Sequence, residues 1–203
     1  MAEKKSALVT GAGRGIGRAI SLELAKAGYF IIINYRANEA AARETLEAIK
    51  KAGSDGEMFR FDVRDSRECA ASMEQILSKY DNIEILVNNA GVVADGLFIM
   101  MPEKDWDSVI DTSLKGFYNV TKPVVKKMLR KKRGSVVTVS SLSGLIGNRG
   151  QVNYSAAKAG LIAASRSLAS EVARLGVRVN VVAPGLIDSE MIKDAPMDRI
   201  KQM

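Results

Sequence analysis

Short apolar runs alternate with longer amphipathic segments along the whole chain. Ser6–Thr10, Phe30–Tyr35, Glu57–Val63, Ile83–Asn89, Ser135–Ser140 and Val177–Pro184 read as strands. Several are apolar on both faces, as parallel strands covered by helices are. Between them Ile16–Ala27, Glu39–Lys51, Arg67–Tyr80, Lys104–Leu129 and Tyr154–Leu175 carry helical spacing. Gly28, Gly53 and Gly176 follow three of these where a left-handed cap belongs. The alternation predicts a doubly wound α/β fold, a parallel sheet with helices on both faces. No linker or short repeat interrupts it, so residues 1–203 read as a single domain.

Composition adds limits. With 47% hydrophobic and 26% charged residues the chain is an ordinary globular one, and no stretch approaches the apolar length that spans a bilayer. MAEKKSALVTG lacks a signal-peptide core, and one cysteine, Cys69, forms no intrachain disulfide, so a cytoplasmic setting is expected. Cys69 sits in a polar helical pattern as a small packing residue. The net charge of +7 fits a phosphorylated cofactor or an acidic protein partner. No zinc spacing or helix-turn-helix pattern accompanies it, so neither a metal nor nucleic acid is expected.

Thr10–Gly17, TGAGRGIG, follows the first strand and opens the first helix. Gly11, Gly13, Gly15 and Gly17 suit a tight turn whose backbone approaches a pyrophosphate, with the helix beginning near Ile16 aiming its positive end at the phosphates. This is the Rossmann-type dinucleotide signature. NAD sites usually carry a carboxylate at the end of strand two, but here IIINYRAN ends in Asn34, Tyr35 and Arg36. Arg14 and Arg36 together suit a 2′-phosphate, so NADP(H) is the expected cofactor. Asp62, with Val63, is placed to reach the adenine amino group.

Tyr154 and Lys158 lie four residues apart, on one helix face. To donate a proton near pH 7 the phenol needs its pKa brought well below 10, which takes roughly 4 kcal/mol. One ammonium about 4 Å away supplies about that at an effective dielectric near 20. The sequence therefore predicts a phenol acidified by Lys158.

Taken in order, TGAGRGIG, Asn88-Asn89-Ala90-Gly91, Ser141, the Tyr154–Lys158 pair and Pro184-Gly185 resemble the short-chain dehydrogenases/reductases across essentially the whole chain. GNRGQVNYSAAKAGL and VRVNVVAPGLIDSEM resemble the β-ketoacyl-carrier-protein reductases within that family. The resemblance implies reduction of a ketone by hydride from NADPH, with Tyr154 protonating the oxygen and Ser141 hydrogen-bonding carbonyl and phenol. Ser140 competes for that role, but the thirteen-residue spacing to Tyr154 favours Ser141. It further implies that Lys158 holds ribose hydroxyls, that Asn89, Ala90 and Gly91 border the cofactor, and that Ile187 and Ser189 meet the carboxamide.

Two positions depart from the family. Ser113 stands where an asparagine anchoring a relay water is expected, which predicts reduced turnover. The family also continues past Met203 with another helix and a seventh strand, so strand six is expected to be an uncovered edge. Lys126, Lys127, Arg130, Lys131, Lys132 and Arg133 form a basic run that suits either a solvated helix end or, with Arg174, an acyl carrier protein. Small-residue faces of Ser113–Val125 and Ala156–Ala169 suit a homodimer or homotetramer. The leading expectation is reduction of 3-oxoacyl chains on acyl carrier protein. A reductase of free ketones, sugars or steroids, and a non-catalytic NADP-binding subunit, are the alternatives.

Overall fold

The computed structural model describes residues 5–187. The order is β1 (Ser6–Val9), α1 (Gly15–Lys26), β2 (Phe30–Tyr35), α2 (Glu39–Lys51), β3 (Gly56–Arg60), α3 (Ser66–Lys79) and β4 (Ile83–Asn88). It continues with α4 (Glu103–Ile110), α5 (Gly116–Lys131), β5 (Gly134–Val139), α6 (Ser143–Ile146), α7 (Val152–Val172) and β6 (Val177–Val182). All strand pairs are parallel, in the order β3-β2-β1-β4-β5-β6. The strand order reverses between β1 and β4, which leaves a crevice at the strands' carboxyl ends.

The apolar runs explain the layers. Side chains alternate along a strand, so Leu8, Ile32 and Leu86 face one way while Ala7, Val9, Ile31 and Ile33 face the other. The first set packs against Cys69, Met73 and Ile76 of α3 and Val120, Val124 and Met128 of α5. The second packs against Ala25 of α1 and Ala42 and Ile49 of α2. Cys69 is fully buried, and burial pushes its thiol up to about 12. It packs, as its pattern suggests.

Three boundaries differ from the sequence reading. Lys104–Leu129 is not one helix, because Asp111–Lys115 widens into a π-helical turn between α4 and α5. Such a turn shifts the helical register by one residue and is common at functional sites. β3 stops at Arg60 because Asn34 Nδ2 captures the Phe61 carbonyl (2.9 Å) and Asp62 folds back on Arg64. α6 is too short to show a period. Among the described residues β6 has a neighbour on one side only.

Lys132, which caps α5, has φ 51°, the left-handed region that favours glycine. Lys132→Gly should raise the unfolding free energy by about 0.5–1 kcal/mol. Urea denaturation reads this, and an unchanged midpoint would show that no strain resides there.

Candidate active site

Hydrogen bonds hold the crevice between β1 and β4 together. Thr10 Oγ1 accepts from the backbone N–H of Asn89 (2.9 Å) and Ala90 (3.0 Å). Asn89 Nδ2 donates to the carbonyls of Thr10 (2.9 Å) and Gly11 (3.1 Å). Buried Asn34 accepts from Gly11 N–H through Oδ1 (3.2 Å), and Thr45 Oγ1 donates to the Gly13 carbonyl (3.0 Å). The glycine turn is thus pinned to β2, α2 and β4. Sequence reasoning gave Asn34 and Thr45 no role, because only these tertiary contacts reveal one.

The turn needs its glycines. Gly11 and Gly15 have φ of 62° and 54°. A Cβ on Gly17 would overlap the Gly11 carbonyl and the Asn89 amide, so helix α1 starts in direct contact with the turn. Arg14 precedes α1 and Arg36 follows β2; both are exposed. Asp62 accepts from Arg64 Nε at both carboxylate oxygens (3.1 and 3.0 Å) and from Nη2 (2.7 Å). Burial opposes the Asp62 charge, but Arg64 outweighs it and holds this carboxyl below its ordinary range. Any adenine amine would share Asp62 with Arg64, whose part was not foreseen.

Ser141, Tyr154 and Lys158 meet at the carboxyl end of β5. Ser140 and Ser141 take different partners. Ser140 Oγ donates to the Lys158 carbonyl (2.8 Å), while Ser141 Oγ accepts from Ser143 N–H (3.2 Å) and stands beside the Tyr154 phenol. Lys158 is 3% exposed; its Nζ donates to the Val139 carbonyl (2.9 Å) and lies 5.4 Å from the Tyr154 ring centroid. Gly91 borders the ammonium, since a Cβ there would stand 3.5 Å from Nζ.

The electrostatics correct the expected acidification. Burial raises the Tyr154 pKa, the Ser141 hydrogen bond lowers it, and the Asp95 charge raises it again; the net effect is upward. Lys158 does not compensate, because its head group turns to the Val139 carbonyl rather than to the phenol oxygen. The larger effect falls on Lys158 itself, whose pKa burial lowers to about 8.

The remaining expected residues are less closely placed. Ser113 lies in the π-helical turn with its hydroxyl buried and unpartnered. It lines a cavity of about 10 Å³ with Thr10, Asn88, Ala90, Phe117 and Leu161. That is the size of one water. No hydrogen bond joins Ser113 to Lys158 among the described residues. Val63 is buried against Gly116. The Pro184 carbonyl accepts from Leu142 N–H (2.9 Å), which sets Pro184-Gly185 beside the Ser141 turn, and Ile187 is exposed. Ser189 lies outside the described residues.

The basic run is partly spoken for. Lys127 (3.0 Å) and Lys131 (2.5 Å) pair with Asp81, and Arg133 pairs with Glu84 (3.1 Å). No acidic partner is recorded among the described residues for Lys126, Arg130 or Lys132. Gly176 packs on the Lys132 backbone, and Arg174 is exposed two residues earlier. This surface lies at the amino end of β5, about 20 Å along the strand from Ser141.

A parallel sheet in this order, with a glycine turn after β1 and Ser, Tyr and Lys converging after β5, defines a dinucleotide-binding domain. The family model described as short chain dehydrogenase matches residues 5–199, and the chain belongs to that family. It is 44% identical over 198 residues to the 3-oxoacyl-[acyl-carrier-protein] reductase FabG of Staphylococcus aureus, covering 98% of this chain and 80% of that protein. It is 42% identical over 198 residues to the enzyme of the same name from Aggregatibacter actinomycetemcomitans, covering 97% and 82%. The 3-oxoacyl-[acyl-carrier-protein] reductase of Synechocystis is 41% identical over 196 residues, covering 97% and 79%.

The family implies a nicotinamide cofactor, and the crevice fits one. A Cβ on Gly15 would meet nothing within 4 Å, so the turn's outer side is open to a ligand. No helix of the described residues is long and apolar enough to cross a membrane.

Lys158 gives a stability test. Its folded pKa of about 8 lies below the ordinary 10.5, so the cost of burying its charge is fully present below pH 8 and fades as pH rises towards 10.5. That cost is on the order of 3 kcal/mol, less what the Val139 bond returns. Lys158→Met should therefore raise the melting temperature at pH 7, with the gain shrinking by pH 10. An equal gain at both pH values would refute a buried, charged Lys158.

Proposed function

We propose that the chain reduces the 3-oxo group of acyl chains carried on acyl carrier protein, using NADPH, as a cytoplasmic enzyme of fatty acid biosynthesis. The reading takes residues 1–203 as a single NADP-binding reductase domain. The observation that carries it is the convergence of Ser141, Tyr154 and Lys158 at the carboxyl end of β5, with a buried Lys158 ammonium 5.4 Å from the Tyr154 ring centroid. Similarity to reductases named for 3-oxoacyl-[acyl-carrier-protein] supports the substrate class.

A reduced nicotinamide supplies hydride to the carbonyl carbon. The protein's own task is the proton. Ser141 binds the carbonyl oxygen and keeps the phenol oriented, and Tyr154 Oη passes its proton to that oxygen as negative charge develops. A phenol with a raised pKa stays protonated at neutral pH, so the acid is loaded before the substrate arrives. Lys158, held by the Val139 carbonyl beside the Tyr154 ring, would bind the cofactor ribose.

Gly11, Gly13, Gly15 and Gly17 would hold the cofactor, with Ile16 at the helix start and Asn89, Ala90 and Gly91 on the other side. Asp62 and Val63 would serve adenine, and Pro184, Gly185, Ile187 and Ser189 the nicotinamide. Arg14 and Arg36 would take the 2′-phosphate, and no carboxylate at the end of β2 would repel it. Ser113 holds a single water in its cavity and takes no direct part in proton delivery.

The same reading makes the protein a homodimer or homotetramer. The exposed Lys126, Arg130 and Arg174 are the proposed docking residues for the carrier.

Following NADPH and NADH absorbance with acetoacetyl-carrier protein and a small ketoester tests the reading. NADPH should be preferred, and Tyr154→Phe should lower kcat at least about 100-fold. Equal turnover by the phenylalanine variant would sink the mechanism, and turnover of sugar or steroid ketones alone would replace the substrate. Lys126→Glu with Arg130→Glu should raise KM for the carrier-bound substrate and leave that for the ketoester unchanged. A parallel rise in both would remove the docking surface from the account.

A further inference from the structure

A polar clamp joins the loop after β4 to the start of α7. Gly96 N–H donates to the Gly150 carbonyl (2.8 Å), and Asn153 Nδ2 donates to the Ala94 carbonyl (2.9 Å). Between these, Gln151 Nε2 donates to both carboxylate oxygens of Asp95, at 3.1 and 3.2 Å. Gln151 is itself held from the other side, where its Oε1 accepts from Ser143 Oγ (3.1 Å) and Asn148 Nδ2 (3.0 Å). Gln151 is three residues ahead of Tyr154, so the clamp and the phenol share one end of one helix.

Resting on the reductase reading above, we propose that Asp95 and Gln151 are a positioning pair for proton delivery. Gln151 holds the Asp95 carboxylate beside the cleft, where its negative charge faces the Tyr154 phenol and retains the proton on the ring oxygen until the substrate carbonyl takes it. Asp95 exchanges no proton. The proton leaves Tyr154 Oη for the carbonyl oxygen as hydride reaches the carbon, and Asp95 only sets when the phenol lets go.

The groups placed around the phenol are Ser141 from the β5–α6 turn, Lys158 from its own helix and, held through Gln151 one turn ahead, the exposed Asp95 of the β4 loop. Burial and Asp95 favour the neutral phenol, whereas the Ser141 hydroxyl favours the phenolate. Glu103, Asp105 and Asp107 of α4 and Asp111 of the π-helical turn are not among the charges that move it. Asp105 meets this end of α7 through its backbone carbonyl, which accepts from Asn153 (3.2 Å). Among the described residues Asp95 is thus the carboxylate that opposes the loss of the Tyr154 proton, and Gln151 helps to hold it there.

Spectrophotometric titration of phenolate tests this without turnover. Comparing Asp95→Asn with and without Tyr154→Phe isolates one of the five tyrosines. Asp95→Asn keeps an acceptor for Gln151 and removes the charge, so Tyr154 should ionise at lower pH than in the wild type. The fall of reductive kcat/KM with rising pH should move the same way, with KM changed little. Gln151→Ala should shift the titration part of the way and speed amide exchange at Gly96, and Asp95→Ala should reproduce both effects. An unmoved Tyr154 titration in Asp95→Asn overturns the proposal, as does a rise in KM with an unmoved pH profile. A wild-type protein that reduces no 3-oxoacyl substrate would overturn the reductase reading, while the titration still decides the clamp.

Discussion

The tie between the ends of β1 and β4 is the constraint on which the rest depends. Parallel strands leave their carboxyl ends open where the strand order reverses, and an open crevice spreads unless something bridges it. Here Thr10 and Asn89 bridge it with four hydrogen bonds, each to a backbone group that the end of a strand leaves without a ladder partner. The bridge fixes the glycine turn on one side and the β4 loop on the other. Gly17 completes it, because no side chain fits between α1 and the turn.

The second constraint runs against stability. Lys158 carries its charge into a site with 3% exposure, and its recorded protein partner is a carbonyl. The fold bears that cost in the element that also presents Tyr154. Natural proteins place such mismatches where chemistry needs a desolvated charge. The phenol is half-buried and not acidified, so the site is built to hold a proton and release it to an oxygen brought alongside.

Charge on the surface is organised more locally than a net value suggests. Three of the six cations in the basic run answer Asp81 and Glu84, so that stretch acts partly as a brace between α5, the start of β4 and the turn before it. A formal charge of +7 thus says less about partners than which cations are already paired within the fold.

The strand–helix order, the glycine turn and the spacing of Tyr154 and Lys158 were determined by the sequence alone. They rest on short-range rules: period 2 against period 3.6, glycine where φ is positive, and residues i and i+4 sharing a face. The π-helical turn at Ser113 escaped those rules because an apolar period does not register one extra residue. The direction in which Lys158 points, the Arg64 clasp on Asp62 and the meeting of Asp95 with Gln151 join residues from separate loops and strand ends. Only the tertiary structure decided them. A pKa depends on burial and on neighbours distant in sequence, and neither exists until the sheet has assembled.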